Sequence, residues 1–283
     1  MLGQLNMNGL DRVEVAIKRI KAFEPPEGYY LAFSGGKDSV TIKALCDMAG
    51  VKYDAHYNVT SVDPPELVKF VKSFTDVRFD IPHDSDGKPI TMWSLIPRNR
   101  MPPTRIMRYC CKALKEGGGE SRFVITGVRW AESARRKNTR TSLEVGDGRR
   151  ERLNADDPDN QESMMFRFCL TKHKRILNPI IDWQNEDVWE FIHKYNVKYC
   201  SLYDEGYTRL GCIGCPMGNA KGMNHDFERY PKYKKMYLKA FERMLDERSR
   251  AGLVSKRIGS TPEEVMNWWI HGKKIEEEAD ETD

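Results

Sequence analysis

The sequence predicts an α/β fold in which a parallel, twisted sheet carries helices on both faces, with a helical subdomain at the C-terminal end. Three observations predict it. Short apolar runs alternate with stretches of helical periodicity from Tyr29 to Tyr195. A Ser-Gly-Gly turn separates the first apolar run from the helix that follows it. Past Cys215 the strand-like runs stop and only helical periodicity returns.

The elements follow in order. Val13, Ala16, Ile17 and Ile20 recur at three and four residues, the mark of an amphipathic helix, and Pro25-Pro26 and Gly28 end it. Tyr29 to Phe33 is short, apolar and aromatic, a buried strand. Val40, Ile42, Leu45 and Met48 then mark a helix that Gly50 closes. Val51 to Val59 is a second strand. Asp63-Pro64-Pro65-Glu66 reads as a helix start, with Asp63 as its cap. Val77, Phe79 and Ile81 alternate as a strand, Phe123 to Val128 forms another, and Ile176 to Ile181 is a less regular apolar run. Asp187 to Tyr195 reads as a helix, as do Tyr230 to Arg248 and Pro262 to Ile270. Residues 140–163 are polar, contain Gly146-Asp147-Gly148 and lack periodicity, which predicts a long flexible insertion and a candidate lid. The division expected is an α/β domain over 1–215 and a helical subdomain with an acidic tail over 216–283.

Composition narrows the class. The 283 residues are 40% hydrophobic and 31% charged, ordinary for a globular protein. No apolar run is long enough for a bilayer, and Met1 to Asn6 shows no basic region leading into an apolar core, so a cytoplasmic enzyme with no membrane partner is expected. The net charge is +4, but Arg98 to Arg152 is crowded with bases while Glu276 to Asp283 holds only acids among its charged residues. A basic middle suits a polyanion, either nucleotide or nucleic acid; a solvated surface is the alternative for any one arginine.

Ser34-Gly35-Gly36-Lys37-Asp38-Ser39 lies between a strand and a helix. Glycines admit an anion close to the backbone, and a helix start adds unpaired N–H groups and the positive end of the dipole. Lys37 adds a point charge, Ser34 and Ser39 add hydroxyls, and Asp38 suits magnesium binding or support of the loop. The spacing fits neither the Walker loop nor the dinucleotide fingerprint. Arg129, Arg135 and Arg136 follow a strand, where guanidinium groups over the same crevice bind phosphate or sulfate. Asn58 ends another strand, at a place for adenine or ribose contacts. Of seven cysteines, Cys110-Cys111 and Cys212-x-x-Cys215 form a set of soft thiolate ligands suited to iron–sulfur or zinc. Cys46, Cys169 and Cys200 read as small core residues.

The loop resembles the S-G-G-x-D-S signature of the PP-loop ATP pyrophosphatases, which break ATP or a related nucleotide between the α and β phosphates. Arg105 to Cys111 with Lys115, Gly127-Val128-Arg129 with Glu132-Ser133 and Arg135-Arg136, Asn178-Pro179-Ile180-Ile181-Asp182-Trp183 with Asp187-Val188-Trp189, and Gly211 to Cys215 occur in the order of the phosphoadenosine phosphosulfate (PAPS) reductase-like family. The resemblance runs from about Tyr29 to Cys215. It implies the adenine nucleotide alpha hydrolase-like (HUP) fold, ATP and magnesium at the loop, and a 4Fe-4S cluster on Cys110, Cys111, Cys212 and Cys215. It also implies that Lys37, Asp38, Lys115 and Arg129 are catalytic, and that Ser34 to Ser39, Asn58, Arg135 and Arg136 bind the nucleotide.

The family's reductases use a late cysteine in a Glu-Cys-Gly-x-His motif as nucleophile, and this chain has no cysteine after Cys215. The loop and cysteine set without that nucleophile resemble the ATP-pyrophosphatase subunit of DNA phosphorothioation systems. That resemblance implies DNA as acceptor and a cysteine desulfurase as sulfur donor. Two alternatives stay open: a sulfonucleotide (PAPS or APS) reductase of unusual form, and a non-catalytic nucleotide-binding subunit.

Overall fold

The computed structural model describes residues 2–3, 9–145, 151–153, 175–253 and 258–272. Cys169, residues 146–150 and 154–163 of the expected insertion and the acidic tail over 276–283 lie outside the described residues. The chain divides into two compact units. The first comprises Met1–Asn58, Pro65–Asp80 and Gly118–Leu210; the second comprises Val59–Pro64, Ile81–Gly117 and Gly211–Asp283.

The first unit is built on seven strands: β1 (Tyr29–Ala32), β2 (Tyr53–Asn58), β3 (Val77–Asp80), β4 (Phe123–Ile125), β5 (Leu143–Val145), β6 (Glu151–Leu153) and β7 (Arg175–Leu177). Their order in the sheet is β3-β2-β1-β4-β7-β5-β6. Pairing is parallel from β3 through β7, then antiparallel where β5 meets β7 and β6. The sheet is therefore the expected parallel one with an antiparallel hairpin on one side. That hairpin falls in residues 140–163, read from the sequence as a long flexible insertion and a candidate lid. Leu143 packs at 0% exposure and Glu144 at 1%, so part of this polar stretch is a buried strand.

Among the described residues five helices accompany the sheet: α1 (Arg12–Ala22), α2 (Lys37–Ala49), α3 (Pro65–Lys72), the short α6 (Ala134–Thr139), and α7 (Asn185–Lys194). A capping box closes the start of α1: Asp11 accepts from the Val13 and Glu14 amides, and Glu14 accepts from the Asp11 amide. Gly50 takes the left-handed conformation that ends α2. Burial of Tyr29, Leu31, Phe33, Ile42 and Leu45 places one face of β1 and one face of α2 in the core, as their apolar spacing demands. The Tyr29 ring meets Phe123 edge-on at 5.3 Å while its hydroxyl donates to the Ile20 carbonyl at 2.8 Å, so its one polar atom is satisfied inside the core.

The Asn178-to-Trp183 segment braces this unit. The buried Asn178 amide donates to the Thr141 carbonyl at 2.8 Å and to Glu144 at 3.0 Å, tying β7 to the hairpin. Asp182 accepts from the buried Arg19 at 3.0 and 3.1 Å, joining the segment to α1.

The second unit holds α4 (Met92–Asn99), α5 (Tyr109–Leu114), α8 (Ala220–Arg229), α9 (Pro231–Arg250) and α10 (Pro262–His271). Its helical core therefore draws on residues 81–117 as well as on the C-terminal part of the chain, because α4 packs on α9. Trp93 meets Tyr237 edge-on at 5.1 Å, and Tyr237, Phe241 and Phe227 surround Trp269. The aromatic stripe of Tyr230, Tyr237 and Phe241 is core; Tyr233 packs against it with its hydroxyl donating to the Asp63 carbonyl at 3.2 Å. Among the described residues no helix is long and apolar enough to cross a membrane.

Candidate functional site

β1 has β2 on one side and β4 on the other, so the sheet reverses its winding between β1 and β4. Segments leaving the C-terminal ends of two such strands diverge and open a crevice there. Residues 34–36 leave β1 at that point, and Thr126 to Arg129 leave β4. The two segments touch. A methyl group on Gly127 would stand 2.8 Å from Asp38 Cβ and 2.9 Å from the Asp38 carbonyl, so only glycine lets the end of β4 lie this close to the first turn of α2.

Gly35 is constrained twice. Its φ is +73°, and a Cβ there would meet Val71 at 2.6 Å and Leu67 at 2.7 Å on α3. Gly35→Ala is therefore expected to cost about 2 kcal/mol or more and to displace the loop; a urea midpoint equal to that of the parent would contradict this account. After the turn, Gly36 caps α2 without a side-chain bond, and the buried Ser39 hydroxyl donates back to the Gly36 carbonyl at 2.9 Å. Ser34 Oγ lies 3.3 Å from Ser39 Oγ and is exposed. The two serines thus hold the turn in shape while one face of it stays open.

Charge gathers on this turn. Arg129 is 2% exposed; its Nε donates to Asp38 Oδ1 at 2.7 Å and its Nη1 to the Trp183 carbonyl at 3.3 Å. Lys37 Nζ lies 3.9 Å from Asp38 Oδ2. The carboxylate of Asp38 thus already has two cations beside it. It does not fit a magnesium ligand here, and of the two roles expected for it the geometry supports the second, bracing the loop. Lys37 is 6% exposed, its Nζ donating to the Thr208 carbonyl at 3.2 Å above the Tyr203 ring. Burial pushes its ammonium below the ordinary lysine range; Asp38 opposes this, and Arg129 and Arg209 add to it. Arg136 pairs with Glu132, and burial together with Arg209 and Arg140 lowers its guanidinium too. Cations that depress one another's protonation form a pocket short of negative charge.

Two more residues expected at the nucleotide are Asn58 and Arg135. Asn58 ends β2, but its side chain is bonded to the Tyr30 hydroxyl, within a group where His56 Nδ1 lies 2.8 Å from Asp80 and stacks on Tyr30 at 4.2 Å. Arg135 is exposed on α6 and joins no ion pair among the described residues. Sequence reading missed Tyr203, Thr208 and Arg209. Tyr203 closes a short 3-10 turn (Ser201–Tyr203), and its hydroxyl accepts the Lys37 backbone N–H at 2.9 Å. Burial raises that phenol to about 12.

Lys115 and the four cysteines belong to the second unit. Cys110 and Cys111 open α5, and Cys212 and Cys215 share a turn in which the Cys215 amide donates to the Cys212 carbonyl at 3.2 Å. Arg105 bridges the two segments, with its Nε donating to the Pro216 carbonyl at 3.1 Å. All four thiols are half-buried and interact electrostatically along the set: Cys110 with Cys111 and Cys212, and Cys212 with Cys215. A hydrogen bond from Cys110 lowers Cys111 against burial, and Arg108 lowers it further. Cys212 is raised to about 11, chiefly by burial. Burial works to lower the Lys115 ammonium, but Cys212 and Asp63 outweigh it and raise the group; the side chain itself keeps a solvent-exposed surface. Asp63, expected to cap α3, instead has Oδ1 3.9 Å from Cys212 Sγ. Four soft donors in one neighbourhood fit iron–sulfur or zinc in kind. Among the described residues, no three His, Cys, Asp or Glu side chains stand close enough to grip a metal ion as placed.

The model of the phosphoadenosine phosphosulfate reductase domain matches residues 28–217, a span that takes in the loop, the arginines and all four of these cysteines. An uncharacterized protein of Methanocaldococcus jannaschii, MJ0973, is 26% identical over 251 residues, covering 86% of this chain and 51% of the relative, so the chain spans about half that relative's length. The adenosine 5'-phosphosulfate reductase of Geobacillus thermodenitrificans is 32% identical over 95 residues, 33% of each chain. The crystal structure of phosphoadenylyl-sulfate reductase from Candida auris in its phosphate complex covers 74% of this chain and 96% of its own, at 16% identity and a TM-score of 0.44. With most of its length matched by one family model, from the first strand through the second cysteine pair, the chain belongs to the phosphoadenosine phosphosulfate reductase domain family.

Proposed function

We propose that the chain is an ATP pyrophosphatase that adenylates a substrate for sulfur transfer, with DNA phosphorothioation as its setting. The observation that carries this reading is the meeting of the Ser34–Ser39 loop with Arg129 at the switch point of the sheet, where Lys37 and Arg136 are held with too few counter-ions. A triphosphate supplies the missing negative charge. An oxygen of the acceptor attacks the α-phosphorus; the bond from that phosphorus to the bridging oxygen breaks, and its electron pair leaves with pyrophosphate. Lys37, Arg136 and the positive end of the α2 dipole neutralise charge that grows on the leaving group, a contribution made mostly by prior positioning. Asp38 and Arg129 keep those groups in place. The terminal sulfur of a persulfide supplied by a cysteine desulfurase then attacks the acceptor phosphorus. The bond from that phosphorus to the adenylated oxygen breaks and AMP leaves with the oxygen. A second thiol cleaves the S–S bond, leaving sulfur on phosphorus and a disulfide.

Cys110, Cys111, Cys212 and Cys215 are the residues that would hold an iron–sulfur cluster, which when bound supplies a redox-active centre. Lys115 and Arg108 bring positive charge to these thiols.

The test is pyrophosphate release from ATP by anaerobically purified protein, with DNA and a cysteine desulfurase present. Release is expected, and Lys37→Ala and Asp38→Ala are expected to abolish it. Tight ATP binding without release would replace the enzyme by a nucleotide-binding subunit. Sulfite formed from adenylylsulfate and a thiol would favour a reductase, the activity named for the Geobacillus relative.

A further inference from the structure

We propose that the strap from Tyr203 to Arg209 is the second wall of the site for the leaving pyrophosphate, with Arg209 binding its phosphates and Tyr203 positioning them. This rests on the reading of the loop as a nucleoside triphosphate site and assigns two residues to its distal end.

The geometry begins with Tyr203. The first amides of a helix have no acceptor within the helix and point outward along its axis. The Lys37 amide is the first of α2, and it donates to the Tyr203 hydroxyl at 2.9 Å. A hydroxyl that accepts in this way keeps its own proton to donate, which a carbonyl in the same place cannot do. An anion oxygen at the loop therefore meets a donor from Tyr203. The ring is fixed for that task, with Trp189 edge-on at 5.1 Å and Lys37 Nζ 5.6 Å from its centroid.

Five residues on, the strap touches the loop again. The Thr208 carbonyl accepts from Lys37 Nζ at 3.2 Å, which fixes the ammonium and brings the next residue beside it. Arg209 is exposed and has no ion-pair partner among the described residues. Its charge acts on both Lys37 and Arg136. Three cations, Lys37, Arg129 and Arg136, thus share the carboxylates of Asp38 and Glu132, and Arg209 adds a fourth positive charge beside them. The excess of positive charge calls for a polyanion. A guanidinium free of any carboxylate matches the oxygens of adjacent phosphates bidentately.

The experiment measures binding of inorganic pyrophosphate, ATP and AMP to the full chain and its variants by calorimetry. Arg209→Gln is expected to weaken pyrophosphate and ATP about tenfold or more, the effect of one charge-assisted contact, while AMP changes by less than about twofold. Arg209→Lys is expected to recover part of the loss. Tyr203→Phe keeps the ring and is expected to weaken pyrophosphate about threefold. Unchanged pyrophosphate binding in Arg209→Gln, with the parent binding it, overturns the strap's role and leaves the triphosphate reading standing. Equal losses for AMP and pyrophosphate also overturn it, since Arg209 then acts through the fold. A parent protein that binds neither pyrophosphate nor ATP overturns the triphosphate reading itself.

Discussion

Arg129→Ala is expected to lower the unfolding free energy by about 3 kcal/mol or more and to abolish nucleotide binding with it. The side chain is nearly inaccessible and bonds both Asp38 and the Trp183 carbonyl. Removing it leaves a partly buried carboxylate without its direct hydrogen-bond donor, the nearest ion pair then being Lys37 at 3.9 Å among the described residues, and leaves a buried carbonyl without its donor. Each loss is a desolvation penalty with no compensating contact. Arg129→Lys keeps the charge but not the two-directional reach of the guanidinium, so it is expected to recover less than half of the stability. Urea unfolding of the three proteins decides the matter: a midpoint for Arg129→Ala within error of the parent would mean that the pair is not what joins the loop to the end of β4.

Lys37→Met is expected to behave in the opposite way on stability. The folded chain disfavours the Lys37 ammonium, through burial first and then through neighbouring cations, despite the help of Asp38. A group whose charged form is disfavoured on folding weakens the fold at neutral pH, where the unfolded chain carries that charge freely. The methionine should therefore unfold no earlier than the parent. Pyrophosphate release, in contrast, should fall about a hundredfold or more, the usual loss when a positioned donor to developing charge is removed. Thermal unfolding and release measured on one preparation separate the two effects. Release that persists would remove Lys37 from the chemistry. The cost in stability identifies a residue kept for binding rather than for folding.

How much of this was legible depends on how local each signal was. The loop could be read because its glycines, lysine and serines are consecutive and lie between a strand and a helix. The alternation of apolar runs also gave the parallel sheet, since each buried strand and each helix carries its own period. The Arg129–Asp38 pair joins residues 91 apart in sequence, and nothing local announces it. The strap was missed for the same reason: Tyr203 acts through its hydroxyl on a backbone amide, and Thr208 through its carbonyl, which any residue possesses. The β5–β6 hairpin was hidden by the polar residues beside Leu143. The helix α4 was hidden by its shortness and by Pro97 inside it. Asn58 was placed correctly at the end of a strand, but position alone could not reveal that Tyr30 engages its side chain. The cysteines were legible as a set because their spacing is unusual, and the structure adds Asp63 and Arg108 beside them.

The contact of residue 35 with Val71 and Leu67 carries one more consequence. Bare backbone leans there on two aliphatic tips, so the depth at which the turn rests is set by the girth of those side chains. Trading Val71 for alanine or isoleucine alters that depth while leaving every polar partner of a bound anion in the chain. Under the proposed reading, anion affinity is expected to shift with the girth of these two aliphatic tips, although neither offers a polar contact.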